Sequence, residues 1–292
     1  REARRTHGFT SRPTVLSRPI HPIERVRIME ERLKAILLRK PELITDFPPW
    51  MLPQDDIKKI RATEDVVIIE VAGRDSFAAL FKYMENHSVK GVIPTIAYTA
   101  TEYGDWISLY DNLDYMKDHL RSLSVHIYSP VIMGSPALWK RLCGSIAAIS
   151  LAKFGFYTPC IGCHLYLHGI RIPLALQLGI KTVIAGERES HDGAIKINQI
   201  NVSLDGYIAL FKLFGLSLEM PLRHISKGSE IESLLGISWE RGRRQLDCVL
   251  SGNYVGENGC VAYSEESIQK YLNDFAVPLM EGYIRKAIAS PF

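Results

Sequence analysis

At 292 residues and 47% hydrophobic content, the chain can bury one large core or two smaller ones. Charged residues make up 23%, which excludes a disordered polyelectrolyte. The most apolar stretch, LCGSIAAISLA at 142–152, is too short to span a bilayer. The net charge of +3 is unevenly placed: residues 1–45 hold eleven Lys and Arg against five acids, which leaves the remainder near −3. Such a basic arm attracts polyanions, including RNA, or packs on the surface or on a second subunit. Five scattered cysteines do not make a secreted disulfide scaffold, and no secretory apolar segment follows the basic start. The chain is expected to be cytoplasmic, with no membrane contact.

Taken in chain order, residues 1–23 form an extended arm rich in Arg, Ser, Pro and Thr. An amphipathic helix is predicted over 22–40, with Val26, Ile28, Met29, Leu33, Ile36 and Leu37 as its apolar stripe. Four prolines then break the chain over 41–54. From residue 64, short β-rich runs alternate with helical segments. Strands are predicted at 65–71, 91–99, 124–129 and 180–186, and helices at 76–86, 105–121, 136–153 and 164–178. After residue 203 helical patterns dominate, at 203–214, 227–235 and 264–288. Strand-helix-strand order argues for an α/β fold with a doubly wound, mostly parallel sheet. In such sheets ligands bind at the carboxyl ends of the strands, where strand order reverses. Three separated pieces fall at such ends: VAGRDS (71–76), YTATEYGDW (98–106) and AGERESHDG (185–193).

The first piece carries an apolar strand through Ala72-Gly73 into a helix. A glycine turn there lets the backbone approach an anion, and the first helical N–H groups point at it. Ser76 and Arg74 add donors. Neither G-x-x-x-x-G-K-S/T nor G-x-G-x-x-G occurs, so the P-loop and Rossmann fingerprints are absent. VAGRDS resembles the Ser-Gly-Gly-x-Asp-Ser pyrophosphate loop of the PP-loop ATP pyrophosphatases. The match covers Gly73, Asp75 and Ser76 and departs at Val71 and Ala72, where that family has Ser and Gly.

The second informative run is YTPCIGCHLYLHGIRIPLALQLGIKTVIAGERESHDG (157–193). Cys160 and Cys163 precede a helix whose dipole stabilises thiolates, and their spacing suits a shared metal or a disulfide. PCIGC resembles the Pro-Cys-x-x-Cys of the tRNA thiolases within the same family. Further on, MPLRHISKGSEIESLLGI (220–237) is similar to a stretch of those thiolases and of the deazaguanine-forming synthases, and Cys248 stands where relatives carry another cysteine.

That resemblance implies a HUP-like fold, with an arm over 1–60, the ATP pyrophosphatase-like domain over 61–240 and a helical extension over 241–292. It implies an ATP-dependent, AMP- and pyrophosphate-forming sulfurtransferase that adenylates a carbonyl oxygen of a nucleobase-like acceptor. The acceptor is either a purine nucleotide or other small metabolite, or a tRNA base. Ala72, Gly73, Arg74, Asp75, Ser76, Tyr98, Gly186 and Glu187 would contact the nucleotide. Cys160, Cys163 and Asp75 would be catalytic, and Asp192 would bind Mg²⁺. Cys160, Cys163 and Cys248 would hold an iron–sulfur cluster or zinc. A cysteine desulfurase-like sulfur donor and a homodimer are the partners it suggests.

Other readings of the same residues stay open. Cys160 can act as a persulfide carrier with Cys163 resolving it, and Cys260 can complete a Cys₄ zinc site. His164 and His168, four apart, suit a zinc pair, although the Glu of H-E-x-x-H is absent. Cys143, in an apolar helix, is expected to be buried and inert. Trp106 and Tyr103 line a purine pocket or cover the sheet rim. The arginines of ERGRRQ (240–245) bind a phosphate or cap a solvated helix. An amide or nitrile ligase of the same superfamily, and a nucleotide sensor without turnover, are the rival functions.

Overall fold

The computed structural model describes residues 52–99, 101–104, 107–236 and 245–289. The amphipathic helix predicted over 22–40, Trp106 and the arginines of 240–244 lie outside them. The chain enters through α1 (Gln54–Ala62), whose Ile57 and Ile60 join the core, and Arg61 ties it down by donating to the Gln177 carbonyl at 2.7 Å.

Strand β1 (Val66–Glu70) occupies the centre of the main sheet. Its first four residues are all buried although successive side chains point to opposite faces, so both faces are covered. Helix α2 (Arg74–Met84) crosses to β2 (Gly91–Ala97), which pairs parallel to β1 from Val66–Gly91 to Glu70–Thr95. A two-residue strand β3 (Glu102–Tyr103) and α3 (Ile107–Arg121) follow. The strand predicted over 124–129 is two pieces, β4 (His126–Ile127) and β5 (Val131–Met133), both parallel to β2. Pro130 separates them. Pro94, which has no N–H to donate, falls between the β2 residues that pair with β4 and those that pair with β5.

The helix predicted over 136–153 is also broken. α4 (Pro136–Trp139), capped by Ser135, passes into a π-helical turn at Lys140–Gly144, and α5 (Ala147–Phe154) follows. α6 (Pro159–Gly169) and α7 (Ile172–Leu178) replace a predicted single helix, with Pro173 in the first turn of the second. β6 (Thr182–Ile184) returns beside β1, and β7 (Ser217–Glu219) follows α8 (Asn201–Lys212) to the outer edge. β7 was not expected from sequence. The spatial order is β4/β5–β2–β1–β6–β7, all parallel, which is the predicted doubly wound α/β architecture. Strand order reverses between β1 and β6.

Beyond the sheet come α9 (Gly228–Leu235) and β8 (Asp247–Cys248), which pairs antiparallel with β3. α10 (Glu265–Tyr271), a π turn and α11 (Val277–Ala289) close the chain and bury Ile268, Tyr271, Met280 and Ile284. One hydrophobic cluster runs from Leu52 to Ile284. No helix among the described residues is long and apolar enough to cross a membrane.

Candidate active site

Between the carboxyl ends of β1 and β6 lies a cavity of about 630 Å³. The turn after β1 forms one wall. Gly73 is the N-cap of α2 in extended backbone and has no side-chain cap to offer. The turn closes internally: the Ala72 N–H donates to Ser76 Oγ at 3.3 Å and the Ser76 N–H to the Gly73 carbonyl at 3.2 Å. Ser76 is buried and its oxygen holds the turn's own backbone. Asp75 is doubly ion-paired, to Arg74 Nε at 3.2 Å and to buried Arg188 Nε at 2.9 Å. Arg74 reaches on to Glu232 at 3.1 Å.

Gly186 follows β6 and faces the same turn. A Cβ there would lie 2.6 Å from the Asp75 carbonyl carbon and 2.7 Å from the Ser76 nitrogen. Its role is close backbone approach: it seats the end of β6 on the first turn of α2. The next residue, Glu187, is buried and carries a hydrogen-bond network. Glu187 Oε1 lies 2.9 Å from both His164 Nδ1 and His168 Nε2, and the Gln199 amide donates to Oε2. The two histidine rings hold Glu187 well below the usual carboxylate range despite its burial. Glu187 in turn raises His164, outweighing a burial effect that opposes it.

The network reaches back to the turn. His191 bonds Gln199 through Nε2 and accepts from Arg188 through Nδ1 at 3.0 Å. Asp75 and Glu187 are therefore linked through Arg188, His191 and Gln199. Burial first, then Lys196 and Arg188, push His191 down to about 4, so it is neutral at pH 7. Asp192 adopts a left-handed φ of 53° beside Gly193, and its Oδ1 accepts the Gly228 N–H at 3.0 Å at the start of α9. Neither Asp75 nor Asp192 thus offers an idle carboxylate of the kind expected for Mg²⁺. Glu70 and Glu102 line the cavity as well, and burial raises Glu102.

The chain is 40% identical over 226 residues to the uncharacterized protein MJ0009 of Methanocaldococcus jannaschii, covering 75% of this chain and 81% of that protein. It belongs to that protein's family. No protein-family model matches it. Among solved structures, it is similar to the U34-tRNA thiolase NcsA from Methanococcus maripaludis with its 4Fe–4S cluster, at 15% identity and a TM-score of 0.36. That match covers 82% of this chain and 79% of that one. It is also similar to NMN synthetase from Francisella tularensis, at 13% identity and a TM-score of 0.32, covering 85% and 98%. At these scores the superpositions are loose.

Of the cysteines, Cys248 borders the cavity, and Cys160 and Cys163 lie outside its lining. Cys160 and Cys163 lie within the first turns of α6 and not before it, because Thr158 is the N-cap and Pro159 the first helical residue. Burial overrides the helix dipole at Cys160: its thiol is pushed up to about 11, with neighbouring Cys163 and Cys248 also raising it. Among the described residues Cys160, Cys163 and Cys248 are not drawn together closely enough to ligate one ion, so the predicted cluster or zinc site is not assembled. The Cys160 Sγ donates to the Leu250 carbonyl at 3.7 Å and to Asn253 Oδ1 at 3.5 Å. Cys163 is buried, accepts from Trp139 Nε1 at 3.3 Å, and is lowered chiefly by a hydrogen bond from Cys143. Cys143 is buried as expected, but it is a partner of the C-x-x-C pair. Cys248, through β8, lines the cavity; Cys260 is exposed.

Of the residues named from sequence, Ala72, Gly73, Arg74, Asp75, Ser76, Tyr103, His164, Gly186, Glu187, Asp192 and Cys248 line the cavity. Tyr98, Cys160 and Cys163 do not. Tyr98 is turned into sheet bonding: its N–H donates to the Met133 carbonyl, and its own carbonyl accepts the Tyr166 hydroxyl at 2.8 Å. Missed by sequence reasoning were Glu70, Glu102, Arg188 and Gln199. Glu70, an acid closing a wholly apolar strand, and Arg188, beside the expected Glu187, were the readable clues.

Proposed function

We propose that the protein activates a carbonyl oxygen of a nucleobase-like acceptor with ATP and then replaces that oxygen with sulfur. The observation that carries this reading is convergence: the Gly73 turn, the end of β6 and Cys248 open into one cavity at the strand-order switch. In the first step the acceptor oxygen attacks the α-phosphorus, and pyrophosphate leaves toward the Gly73 turn. Arg74 and Arg188 lie there to offset charge building on the leaving phosphates, and Mg²⁺ arrives with the nucleotide. In the second step the outer sulfur of a persulfide on Cys160, loaded by a cysteine desulfurase-like donor, adds to the activated carbon and AMP departs. This works because AMP is a good leaving group where an amide-type oxygen is a poor one. The Cys248 thiol then attacks the Cys160 sulfur, which breaks the S–S bond, releases the thiolated acceptor and leaves a Cys160–Cys248 disulfide for an external thiol to reduce.

Cys248 is the thiol nearest to hand, with Cys160 behind it as sulfur carrier. A purine nucleotide or other small acceptor suits a cavity of about 630 Å³, with a tRNA base as the larger alternative.

One observation favours a second reading. Cys160 is held as a neutral thiol and Cys163 is buried away from the cavity, as in an enzyme that adenylates and then uses ammonia. Incubation with ATP, Mg²⁺ and candidate acceptors, followed by assay of AMP and pyrophosphate, tests the shared step. Cys160→Ser separates the readings: sulfur transfer is lost while ATP still binds, whereas a ligase retains turnover. Absence of both products with every acceptor would leave a nucleotide sensor.

A further inference from the structure

We infer that His164, His168 and Glu187 form a binding site for one divalent transition-metal ion of the zinc type, opening into the cavity that the Gly73 turn also lines. The inference goes beyond the activation chemistry proposed above and does not depend on it. The three ligand atoms lie within 4.8 Å of one another, and among the described residues this is the one His, Cys, Asp and Glu set so assembled. Two come from one face of α6 at i and i+4, and the third from the turn after β6. The donor set, two imidazoles and a carboxylate, is that of open zinc sites, which keep a further position for water or substrate. His164 and Glu187 line the cavity, so that position faces it.

The surroundings supply what such ligands require. A metal-bound imidazole must hand its other N–H to an acceptor, most often a carboxylate or carbonyl. His168 Nδ1 is buried and has no hydrogen-bond partner, and Glu70 Oε2 stands 3.7 Å from it. With Nε2 on a metal, Nδ1 carries the proton and faces Glu70, so the orphaned atom acquires a function. His164 Nε2 lies 2.8 Å from Asn198 Nδ2, and a flip of that side-chain amide would present Oδ1 to accept the Nε2–H of a ring bound to metal through Nδ1. Gln199 holds the second oxygen of Glu187. No thiol belongs to the set, so it is chemically distinct from the cysteines.

Cobalt(II) titration of the chelator-treated full chain tests the assignment. Expected is one equivalent giving visible d–d bands without a thiolate-to-cobalt charge-transfer band, displaced by zinc. These bands persist in the triple variant Cys160→Ser, Cys163→Ser, Cys248→Ser. His164→Ala, altering a side chain that borders the cavity, weakens cobalt binding by more than about a hundredfold, and Glu70→Gln, which keeps every ligand, by about ten- to a hundredfold. Circular dichroism without metal checks that each variant is folded. The assignment is overturned if wild type develops no d–d bands at millimolar cobalt. It is equally overturned if the bands vanish in the serine variant, or if they are unchanged in folded His164→Ala.

Discussion

Gly186 touches the backbone of Asp75 so closely that a methyl group placed on it would stand 2.6 Å from the Asp75 carbonyl carbon. The neighbour is main chain in the first turn of α2, which cannot rotate away. Gly186→Ala should therefore cost about 1–3 kcal/mol through overpacking and displace the turn that lines the cavity. Gly73→Ala is the control. Its Cβ would meet the Gln245 side chain at 2.8 Å, which is free to change rotamer, and Gly73 has extended backbone that alanine adopts. Chemical denaturation of the two variants should show a clear loss for Gly186→Ala and a much smaller one for Gly73→Ala.

Arg171 is buried beneath the cavity, donating to Thr95 Oγ1 at 2.7 Å and pairing with Glu70 Oε1 at 3.3 Å. Removing one partner of a buried pair strands the other in a poor dielectric. Arg171→Leu should destabilise the fold by about 3–5 kcal/mol. The double variant Arg171→Leu, Glu70→Gln should recover part of that loss. Equal denaturation midpoints for the single and double variants would show that the pair is not the reason.

The sheet was legible where the apolar run was long. The VVII of β1 and all of GVIPTIA are buried, and they appear as β1 and β2. Short elements were not: β7 is three residues with one fully buried side chain, and β3 and β8 are two residues each, held together only by a partner about 145 positions away. The helix over 136–153 read as continuous because its apolar spacing persists, while the backbone bonding changes to a π turn at Lys140–Gly144. The site was half legible. Gly73 and Gly186 stood out as strand-end glycines. The network on Glu187 draws on residues from three separate segments, so no local spacing announces it.

His191 links pH to stability. It is pushed down to about 4 by burial and by Lys196 and Arg188, against weaker opposing effects from Gln199 and Asp75. An unfolded histidine titrates near ~6.5. Between those values the unfolded chain binds the extra proton, so stability rises with pH. The contribution is complete above about 6.5 and is lost as pH falls toward 4. His191→Gln should flatten this part of the stability–pH curve. In an NMR titration of the wild type, the His191 ring signals should stay at their neutral positions down to pH 5; movement centred near 6.5 would contradict the environment described.

Burial governs the reactivity of the Cys160 thiol. The group is pushed up to about 11 from an ordinary value of 9.0. Two units cut the thiolate fraction about a hundredfold, and the greater basicity of what remains restores roughly a tenfold gain in intrinsic nucleophilicity. Alkylation of Cys160 by iodoacetamide at pH 8 should therefore be about tenfold slower than that of the cysteine of a short model peptide on electronic grounds alone. Partial burial slows it further. Cys143 and Cys163, both buried, should label only on unfolding. Peptide mapping by mass spectrometry after timed labelling gives the order directly. If sulfur carriage by Cys160 requires its thiolate, the pH profile of sulfur transfer should keep rising through pH 9, because deprotonation of this thiol is still incomplete there. A profile that levels off below pH 8 would instead mean that the reacting sulfur belongs to another residue.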